Sequence, residues 1–390
     1  MEMITINKRL LTSKYLFLTL LFVFGFLHFA AAENSESTNS HNISKIFKVC
    51  PFNVDGLPQK FGFINVNPDG KGAEGAKSIG QYINQSDIDF WGLSEDFNYH
   101  NDLANEITDG KYQIGTYRGG INLTKFSLNM NFDTDGLNFL SKIPYTFSDE
   151  SWVKWNKSYG WKDHGNDEMI RKGYRHYLAN LGDGISIDFY IMHMDADDGA
   201  KDNETRANQW QQLYDAIKAN NNGRPIIVMG DTNSRYTRDD IKGLFIDPIE
   251  NDGVYEIKDA WVELCKKGTY PTLGSDPLMV DNLGYIEGEI VDKVLYLNPK
   301  EGECHIKALD FNVDSKLETS DHKPVSDHKP VIVTMNVTSK GTPTGISSTN
   351  TANRQGIVAI YGTNGVRRST LAKGINIVKM ANGEIKKINY

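Results

Sequence analysis

The sequence predicts a layered α/β fold, on three observations. Short apolar runs recur from Ile46 onward, and each ends in a polar cluster, as buried strands do. Helical patterns lie between them, and the clearest places Trp210, Leu213 and Ile217 on one helix face before turn residues end it. Strands and helices therefore alternate, which is typical of layered α/β folds. The strand-like runs are "IFKVCPFNVDG", "DIDFWGLSED", "GLNFLSKIPY", "GISIDFYIMHMDAD", "PIIVMGDTNS", "EIVDKVLYL" and "KPVIVTMNV".

Residues 1–32 are predicted to be a secretory signal peptide. Lys8, Arg9 and Lys14 form a basic start, "YLFLTLLFVFGFLHF" is the apolar run, and three alanines at 30–32 supply a cleavage site before Glu33. The run is shorter than the ~20 residues that span a bilayer, so a membrane anchor is the less favoured alternative. We therefore expect a secreted or cell-surface protein, with residues 33–45 as a flexible polar leader.

Charge limits the partners of the region between the two ends. The chain has 42 basic and 50 acidic residues, of which residues 1–32 hold three and one, and residues 340–390 hold eight and one. Residues 33–339 keep 31 basic and 48 acidic residues, a net charge of −17. Such an acidic body disfavours long contacts along a nucleic-acid backbone, which depend on Lys and Arg.

The cysteine content indicates a core that is stabilised by its size and not by crosslinks. The three cysteines, Cys50, Cys265 and Cys304, allow one disulfide at most. Their spacing fits no zinc motif, and we expect them to be small buried side chains.

The C-terminal region differs in composition from the body. Residues 339–356 are rich in Ser, Thr, Asn and Gly and are a predicted linker. Residues 357–390 show three short strand patterns separated by Asn-Gly turns, too little for a large core. With its basic pair, "KGINIV" and "NGEIKK", this stretch resembles the sorting tails of type IX secretion cargo, which implies contact with a secretion machinery. A strand appendage packed on the body is the alternative.

Polar side chains of one chemical kind stand at or near the ends of the strand-like runs. Carboxylates, amides and two histidines that converge at strand ends would form a site rich in oxygen ligands, which suits Mg²⁺. Turn formation is the alternative for any single Asp or Asn. "GDTN" is the strongest signal, because an acid and an amide two positions apart can face the same pocket. The candidates are Asn53, Glu95, His193, Asp195, Asp231, Asn233, Asp292, Asp327 and His328.

The order of these motifs resembles the endonuclease/exonuclease/phosphatase superfamily over residues 46–338, which are the predicted catalytic domain. The motifs are "FNVDGLP", "WGLSEDF", "IMHMDA", "MGDTNS", "VDKVLY" and "SDHKPVIVTM". The resemblance implies an α/β four-layer sandwich, in which two mixed β-sheets pack face to face between outer helices, followed here by a small all-β tail.

The resemblance also implies metal-assisted hydrolysis of a phosphodiester by in-line attack of water. Glu95 and Asn53 would hold Mg²⁺, with Mn²⁺ as an alternative. His328, oriented by Asp327, would take a proton from the attacking water, and Asp231 would position that water.

The remaining predicted residues would act on the phosphate. His193, supported by Asp292, would stabilise the developing charge or the leaving oxygen. Asn233, Asp195 and Lys172 are the predicted substrate contacts, and Lys172 is chosen because "KG" resembles a step in the sphingomyelinase-like branch. An ordinary exposed Lys beside a turn Gly is the alternative.

A six-residue segment, "SDHKPV", occurs twice in succession at residues 320–331. If the segment is extended, His322 and His328 lie about 20 Å apart, so one site cannot use both. The second copy leads directly into "VIVTM", the predicted closing strand. We therefore assign the chemistry to Asp327 and His328 and expect the first copy to be a surface loop.

Three functions remain open at the level of sequence. A sphingomyelinase or phospholipase C type of lipid headgroup phosphodiesterase fits export and the acidic body, with transient contact to a membrane surface. An extracellular endonuclease stays open because four arginines near the motifs could grip phosphates. A catalytically inactive surface binding protein is the third. The arginines are Arg171, Arg175, Arg235 and Arg238, and the aromatic residues weighed as a membrane-touching loop are Trp152, Trp155 and Trp161.

Overall fold

A computed structural model describes residues 42–61, 64–122, 132–161, 164–340, 357–363, 367–368, 371–380 and 385–389. The predicted signal peptide lies outside these residues, as do most of the leader and the linker. The helices are α1 Gly72–Gln85, α2 His100–Ala104, α3 Ala200–Ala219, α4 Asp247–Asn251, α5 Ala260–Cys265 and α6 Val280–Glu287, with a 3₁₀ segment at His164–Met169 and a π-helical turn at Lys242–Ile246. The strands are β1 Asn42–Asn53, β2 Lys60–Phe61, β3 Ile64–Asn65, β4 Phe90–Ser94, β5 Tyr112–Ile114, β6 Asn138–Lys142, β7 Thr146–Lys154, β8 Gly173–Gly182, β9 Ile185–His193, β10 Ile226–Asp231, β11 Tyr255–Asp259, β12 Asp292–Pro299, β13 Cys304–Val313, β14 Val331–Lys340, β15 Ile357–Gly362, β16 Arg367–Arg368, β17 Ile375–Met380 and β18 Ile385–Asn389.

Two six-stranded sheets form the body. The first has the order β13-β14-β1-β4-β6-β5 and the second has the order β11-β12-β10-β9-β8-β7. Each sheet is mixed, because β1 runs parallel to β4 and β9 runs parallel to β10, whereas the other neighbours are antiparallel. The prediction of two mixed sheets with helices is therefore confirmed.

Alternating side chains of β1 divide the core into two layers. Phe47 and Val49 lie in the cluster between the two sheets, whereas Cys50 and Phe52 lie in the cluster on the other face. Gly92 on β4 allows the sheets to approach closely, since a Cβ there would lie 2.9 Å from the Met229 side chain. The facing surfaces of the sheets are thus apolar up to the strand ends.

Helices cover the outer faces of the sheets. The apolar side of α1, with Ala76, Ile79 and Ile83, packs in one cluster with Trp91 and Leu93 of the first sheet. The predicted helix α3 buries its apolar stripe against the second sheet and ends at Ala219, just before the predicted turn residues. Apolar residues at helical spacing account for both contacts.

Strand pairing extends the body beyond the predicted domain limits. β1 begins at Asn42, four residues before Ile46, because its first residues pair with the end of β14 as far as Lys340. The predicted flexible leader therefore overlaps a paired strand. At the C-terminus, β15 to β18 form a separate sheet with the order β16-β15-β17-β18, so the small all-β tail has a fourth, two-residue strand besides the three predicted.

The three cysteines form no disulfide. Cys50 is buried, Cys265 and Cys304 are half-buried, and all three are free thiols. No helix among the described residues is both long and apolar enough to cross a membrane.

Candidate active site

Strand register in the second sheet brings three candidate residues together. Asp231, at the end of β10, lies directly opposite His193 on β9 and Asp292 on β12. Ile191 and Met229, two positions earlier on their strands, face Gly92 of the first sheet. Since side chains alternate along a strand, His193 and Asp231 point toward the first sheet as well.

The first sheet contributes Asn53 from the opposite side. Asn53 ends β1 on the same face as Phe47 and Val49, and it is buried. Its Nδ2 donates to Oδ2 of Asp231 and to Oε1 of Glu95, at 3.1 Å in both cases. One amide therefore joins the ends of the two sheets.

Steric constraints explain why the first residue of "GDTN", Gly230, is a glycine. Gly230 has φ of +147°, and a Cβ at this position would lie 2.0 Å from the Met192 carbonyl oxygen on β9. Only glycine tolerates both conditions. This close contact holds Asp231 at the end of β10, opposite His193.

Asp231 lies at the centre of the site. Its Oδ2 is 3.4 Å from His193 Nε2 and 3.6 Å from His328 Nε2, and its side chain is buried. Burial alone would raise the pKa of Asp231, but His328 and the hydrogen bond from Asn53 lower it. Asp231 is therefore an ionised carboxylate between two imidazoles.

The carboxylate that orients His328 is Asp292, which corrects the predicted pairing with Asp327. His328 Nδ1 donates to Asp292 Oδ2 at 2.6 Å, whereas Asp327 Oδ1 lies 3.4 Å from Ser326 Oγ. Burial alone would lower the pKa of His328, but Asp292 and Asp231 outweigh it and raise the pKa well above its usual 6.5. A histidine between two acids is thus a strong proton acceptor.

Ser326 explains why the second copy of the repeat reaches the site. Its hydroxyl donates to the Asn53 carbonyl at 2.8 Å and accepts from the His328 backbone N–H at 3.0 Å. In the first copy the equivalent Ser320 hydroxyl donates to Glu74 Oε1 at 3.4 Å instead, and the His322 side chain is 89% exposed and lies 3.4 Å from Glu318. Of the two histidines of the repeat, His328 is the one that lies beside Asp231 and Asp292, and its catalytic role stays a prediction.

His193 does not contact Asp292, although the sequence analysis pairs them. Asp292 turns toward His328, and His193 is held by its backbone, whose carbonyl accepts from Trp155 Nε1 at 2.7 Å. His193 Nδ1 is buried and has no hydrogen-bond partner in the described part of the chain. Burial and the nearby Lys172 lower the pKa of His193 well below 6.5, so its imidazole is neutral.

Three carboxylates gather beside Asn53. Burial raises the pKa of Glu95 to about 7, and Asp327 acts in the same direction. Burial and Asp327 also raise the pKa of Asp55 to about 6. Glu95, Asp55 and Asp327 thus offer carboxylate oxygens in the neighbourhood of Asn53, the ligand type that hard divalent cations prefer.

A second group could also hold a metal. One ligand atom each from Asp231, Asp292 and His328 lies within 4.8 Å of the others. A cation there would compete with the proton that His328 shares with Asp292, whereas Glu95 and its acidic neighbours offer oxygen ligands without this competition. The sequence-based assignment of the metal to Glu95 and Asn53 therefore stays a prediction, and the three-ligand group of the described residues is Asp231, Asp292 and His328.

Lys172 and Asn233 meet at one backbone carbonyl. Lys172 Nζ donates to Met194 O at 3.2 Å, and Asn233 Nδ2 donates to the same oxygen at 3.1 Å. Burial would lower the pKa of Lys172, but Asp167, whose Oδ1 is 2.5 Å away, raises it. Lys172 is thus a buried cation near Glu95 and His193, and not an ordinary surface Lys.

The sequence predicts a substrate contact for Asp195, whereas in the structure its carboxylate is bound within the protein. One carboxylate oxygen accepts from Gln209 Nε2 at 2.6 Å and the other from the Tyr159 backbone N–H at 2.7 Å. Burial and Asp167 raise its pKa to about 7. Asp195 therefore fixes the loop after β7 to α3.

The four arginines near the motifs are engaged within the protein. Arg175 is buried and binds both oxygens of Asp135, and the other three bind carboxylates or backbone carbonyls. Among the tryptophans, Trp155 is buried, Trp152 is half-buried under Arg118, and only Trp161 is exposed. None of the arginines extends as a free phosphate clamp.

Sequence reasoning missed Asp55, Asp167 and Ser326. Asp55 lies two positions after Asn53, and the period of a strand could have indicated it. Ser326 is part of the quoted "SDHKPV". Asp167 lies in a 3₁₀ segment without periodicity, and no sequence signal indicates its contact with Lys172.

Comparison with known proteins gives a family and several relatives. A sequence model of the Endonuclease/Exonuclease/phosphatase family matches residues 52–284, a range that ends before Asp292 and His328. "Sphingomyelinase" from Mycobacterium bovis and from Mycobacterium tuberculosis is 27% identical over 308 residues, covering 76% of this chain and 54% of theirs. The chain thus spans about half the length of the curated relatives it matches.

Solved structures with similar architecture have low identity. An endonuclease/exonuclease/phosphatase from Bacteroides vulgatus is 17% identical with a TM-score of 0.49, and covers 75% of this chain and 98% of that one. Beta toxin from Staphylococcus aureus is 16% identical with a TM-score of 0.47, and covers 74% and 99%.

Proposed function

The chain belongs to the Endonuclease/Exonuclease/phosphatase family of phosphoric ester hydrolases, and on that premise we propose that it is a divalent-metal-dependent phosphodiesterase. One observation carries the proposal. His328, hydrogen-bonded to Asp292 at 2.6 Å, lies 3.6 Å from Asp231, which is also bonded to Asn53 from the other sheet. Asn53, Asp231 and Asp292 stand at the ends of three strands, His328 lies in the loop before β14, and all four meet at one end of both sheets.

In the proposed reaction, water attacks phosphorus in line with the leaving oxygen. His328 Nε2 accepts the proton of the attacking water, and Asp292 stabilises the resulting imidazolium through Nδ1. The Asp231 carboxylate lies beside Nε2 and orients the same water. The bond from the water oxygen to phosphorus forms as the bond from phosphorus to the leaving oxygen breaks. The proton taken from water stays on His328 and is then released to solvent, and the leaving oxygen takes its own proton from solvent.

The phosphate is held by the opposite part of the site. Lys172 supplies positive charge, Asn233 an amide, and neutral His193 a hydrogen bond to the leaving oxygen. A divalent cation held by Glu95, with Asp55 and Asp327 nearby, would neutralise charge on a phosphate oxygen.

For the substrate, we favour a lipid phosphodiester of the sphingomyelin type. The sphingomyelinase relatives support this choice, although the chain covers only 54% of their length. The acidic body and the engagement of the four arginines within the protein also count against a long nucleic-acid contact. Export through residues 1–32 and sorting through residues 357–390 are parts of the same proposal.

A substrate panel tests the assignment. The full chain with Mg²⁺ is given sphingomyelin, phosphatidylcholine, plasmid DNA, RNA and an aryl phosphodiester. We expect release of phosphocholine from sphingomyelin to exceed DNA nicking by orders of magnitude. Efficient nicking without headgroup release would move the assignment to an endonuclease, and inactivity on every substrate would favour a binding protein.

A further inference from the structure

The strongest unassigned feature of the described residues is a run of exposed apolar side chains. Leu273, Met279, Leu283 and Ile286 are between 40 and 51% exposed and fall within fourteen consecutive positions. Helix α6, which carries two of them, buries none of its eight residues. Large apolar side chains concentrated in this way on a surface commonly mark an interaction site. We call residues 273–287 the apolar segment.

Backbone hydrogen bonds attach the apolar segment beside the candidate site. Gly274 N donates to Thr237 O at 2.9 Å, and Thr237 is four residues after Asn233. Glu289 N donates to Leu278 O at 2.7 Å, and Glu289 is three residues before Asp292. Four residues span at most about 14 Å, so both attachments lie close to site residues.

Two further contacts hold the far end of the segment. Trp261 Nε1 donates to Ile286 O at 2.9 Å, and Lys266 Nζ donates to Glu287 O at 2.6 Å. Leu278 and Tyr285 pack against the main core. The segment is thus fixed through its backbone and its inner side chains, and the four exposed side chains are not needed for that attachment.

Charge in the segment limits the kind of surface that it fits. Residues 273–289 contain no Lys or Arg, and they carry Asp276, Asp281 and Glu287 on exposed positions, of which Glu287 is paired with Lys266 at 2.8 Å. Binding to anionic lipids depends on clusters of basic residues, and acidic residues oppose it. Apolar side chains on an acidic background fit a surface of zwitterionic headgroups, into which they insert by burial of apolar area.

We propose that the apolar segment inserts into the surface of a zwitterionic, phosphocholine-bearing bilayer and so places the adjacent site against the headgroups. The inference rests on the proposed lipid substrate and deepens it. A second copy of this chain is the competing occupant of the same surface.

The experiment compares vesicle binding and catalysis in matched triple variants of the full chain. The test variant is Leu273→Ser, Leu283→Ser and Ile286→Ser. The control variant is Ile46→Ser, Ile143→Ser and Val254→Ser, whose positions are also exposed. These control positions lie at the opposite end of the sheets: Ile46 precedes Asn53 by seven residues on β1, roughly 23 Å. None of the six residues belongs to the proposed catalytic machinery.

Flotation with phosphatidylcholine–sphingomyelin vesicles is the first readout. We expect the test variant to bind at least about tenfold more weakly than the wild type, because partition scales with buried apolar area. The control variant should bind like the wild type. Equal binding by wild type and test variant would overturn the proposal. A requirement for phosphatidylserine in the vesicles, with loss of binding in salt, would overturn it as well.

Catalysis separates this inference from the proposed function. The test variant should keep turnover of a soluble aryl phosphodiester and lose hydrolysis of vesicle sphingomyelin by a factor similar to its loss of binding. If the wild type releases no headgroup from the lipid, the proposed function fails, and flotation still tests whether the apolar segment inserts into the bilayer. If the test variant hydrolyses vesicles normally, the insertion fails and the function stands.

Two measurements cover the remaining outcomes. Hydrogen–deuterium exchange of the wild type should show protection in residues 273–287 when vesicles are added, and this needs no variant to fold. Unchanged exchange there would contradict the proposal. Sedimentation velocity without lipid tests the competing occupant, and a dimer that only the test variant loses would assign the surface to a second copy.

Discussion

His328 lies between two carboxylates that both favour its protonated form. Nδ1 donates to Asp292 at 2.6 Å, and Nε2 is 3.6 Å from Asp231. In the proposed reaction, a proton taken from water would therefore be retained on the imidazole while the phosphorus–oxygen bond forms. The neutral His193 lies on the other side of Asp231 and cannot replace this base, because burial disfavours its charged form.

The two acidic residues around His328 should respond differently to substitution. Asp292→Asn should reduce turnover by roughly 10²- to 10⁴-fold, the scale for removal of an orienting carboxylate, and added Mg²⁺ should not restore it. Asp327→Asn should act through the acidic group near Glu95, so excess Mg²⁺ should largely restore its activity. Initial rates across a Mg²⁺ titration measure both, and the reverse pattern would return Asp327 to the role of orienting residue.

The pH dependence of kcat/KM should reflect the same pair. Because Asp292 and Asp231 raise the pKa of His328, the base is free only at higher pH, and activity should increase through a limb above pH 6.5. Asp292→Asn removes one of these charges and should move that limb to lower pH. A pH profile on a soluble phosphodiester measures it. A limb that stays fixed in Asp292→Asn would show that His328 is not the titrating base.

The residue pairings were the least predictable part of the site. The sequence indicated the types and positions of the side chains because each stands at or near one end of a recognisable strand. It could not indicate that His328 contacts Asp292, 36 positions away, and not its neighbour Asp327. Adjacent residues on an extended chain point in opposite directions, so proximity in sequence is a poor guide to pairing.

At the scale of elements, predictability followed the continuity of the apolar run, and the interior strand β8, whose sequence interleaves polar and apolar residues, gave no such run. The buried strands β4, β9, β10, β12 and β14 gave apolar runs and were recognised. The edge strands β7 and β13 have largely exposed or alternating residues and gave no continuous run. The sequence prediction therefore did not include β7 and β13. Both strands lie at sheet edges, where a strand needs fewer apolar side chains.

The close contact of β10 with β9 makes a stability prediction. Gly230→Ala should lower the free energy of unfolding by more than about 2 kcal/mol, because its Cβ would lie 2.0 Å from Met192 O at a φ of +147°. Gly253→Ala is the matched control, with φ of +75° and no atom within 4 Å of the Cβ, and should cost about 1 kcal/mol. Urea unfolding compares them, and equal losses would contradict the steric account.

At the scale of the whole molecule, the site exists only because two sheets face each other. Asn53 and Asp231 are 178 positions apart and belong to different sheets, yet they share a hydrogen bond. The fold class was predictable from the alternation of strands and helices. Which sheet faces meet, and at which end, depends on contacts such as Gly92 with Met229 that no local pattern contains.

Metal binding should stabilise the whole molecule. Mg²⁺ should raise the melting temperature in a concentration-dependent manner, because a ligand that binds only the folded state shifts the unfolding equilibrium. The effect should be stronger at pH 7.5 than at pH 5.5, since the pKa of Glu95 is about 7 and that of Asp55 about 6, and protons compete with the cation below these values. Glu95→Gln should weaken the shift, and Asp109→Asn, at an exposed position, should not. An Mg²⁺ effect that is equal in Glu95→Gln would place the metal elsewhere.

The most direct test of the central claim compares the two histidines of the repeat. Turnover of an aryl phosphodiester is measured for His328→Ala and His322→Ala, with circular dichroism to establish that both are folded. His328→Ala should lose roughly 10²-fold or more, the scale for a positioned proton acceptor, and His322→Ala, whose side chain is 89% exposed, should match the wild type. Normal turnover by His328→Ala would contradict the proposed site and its mechanism.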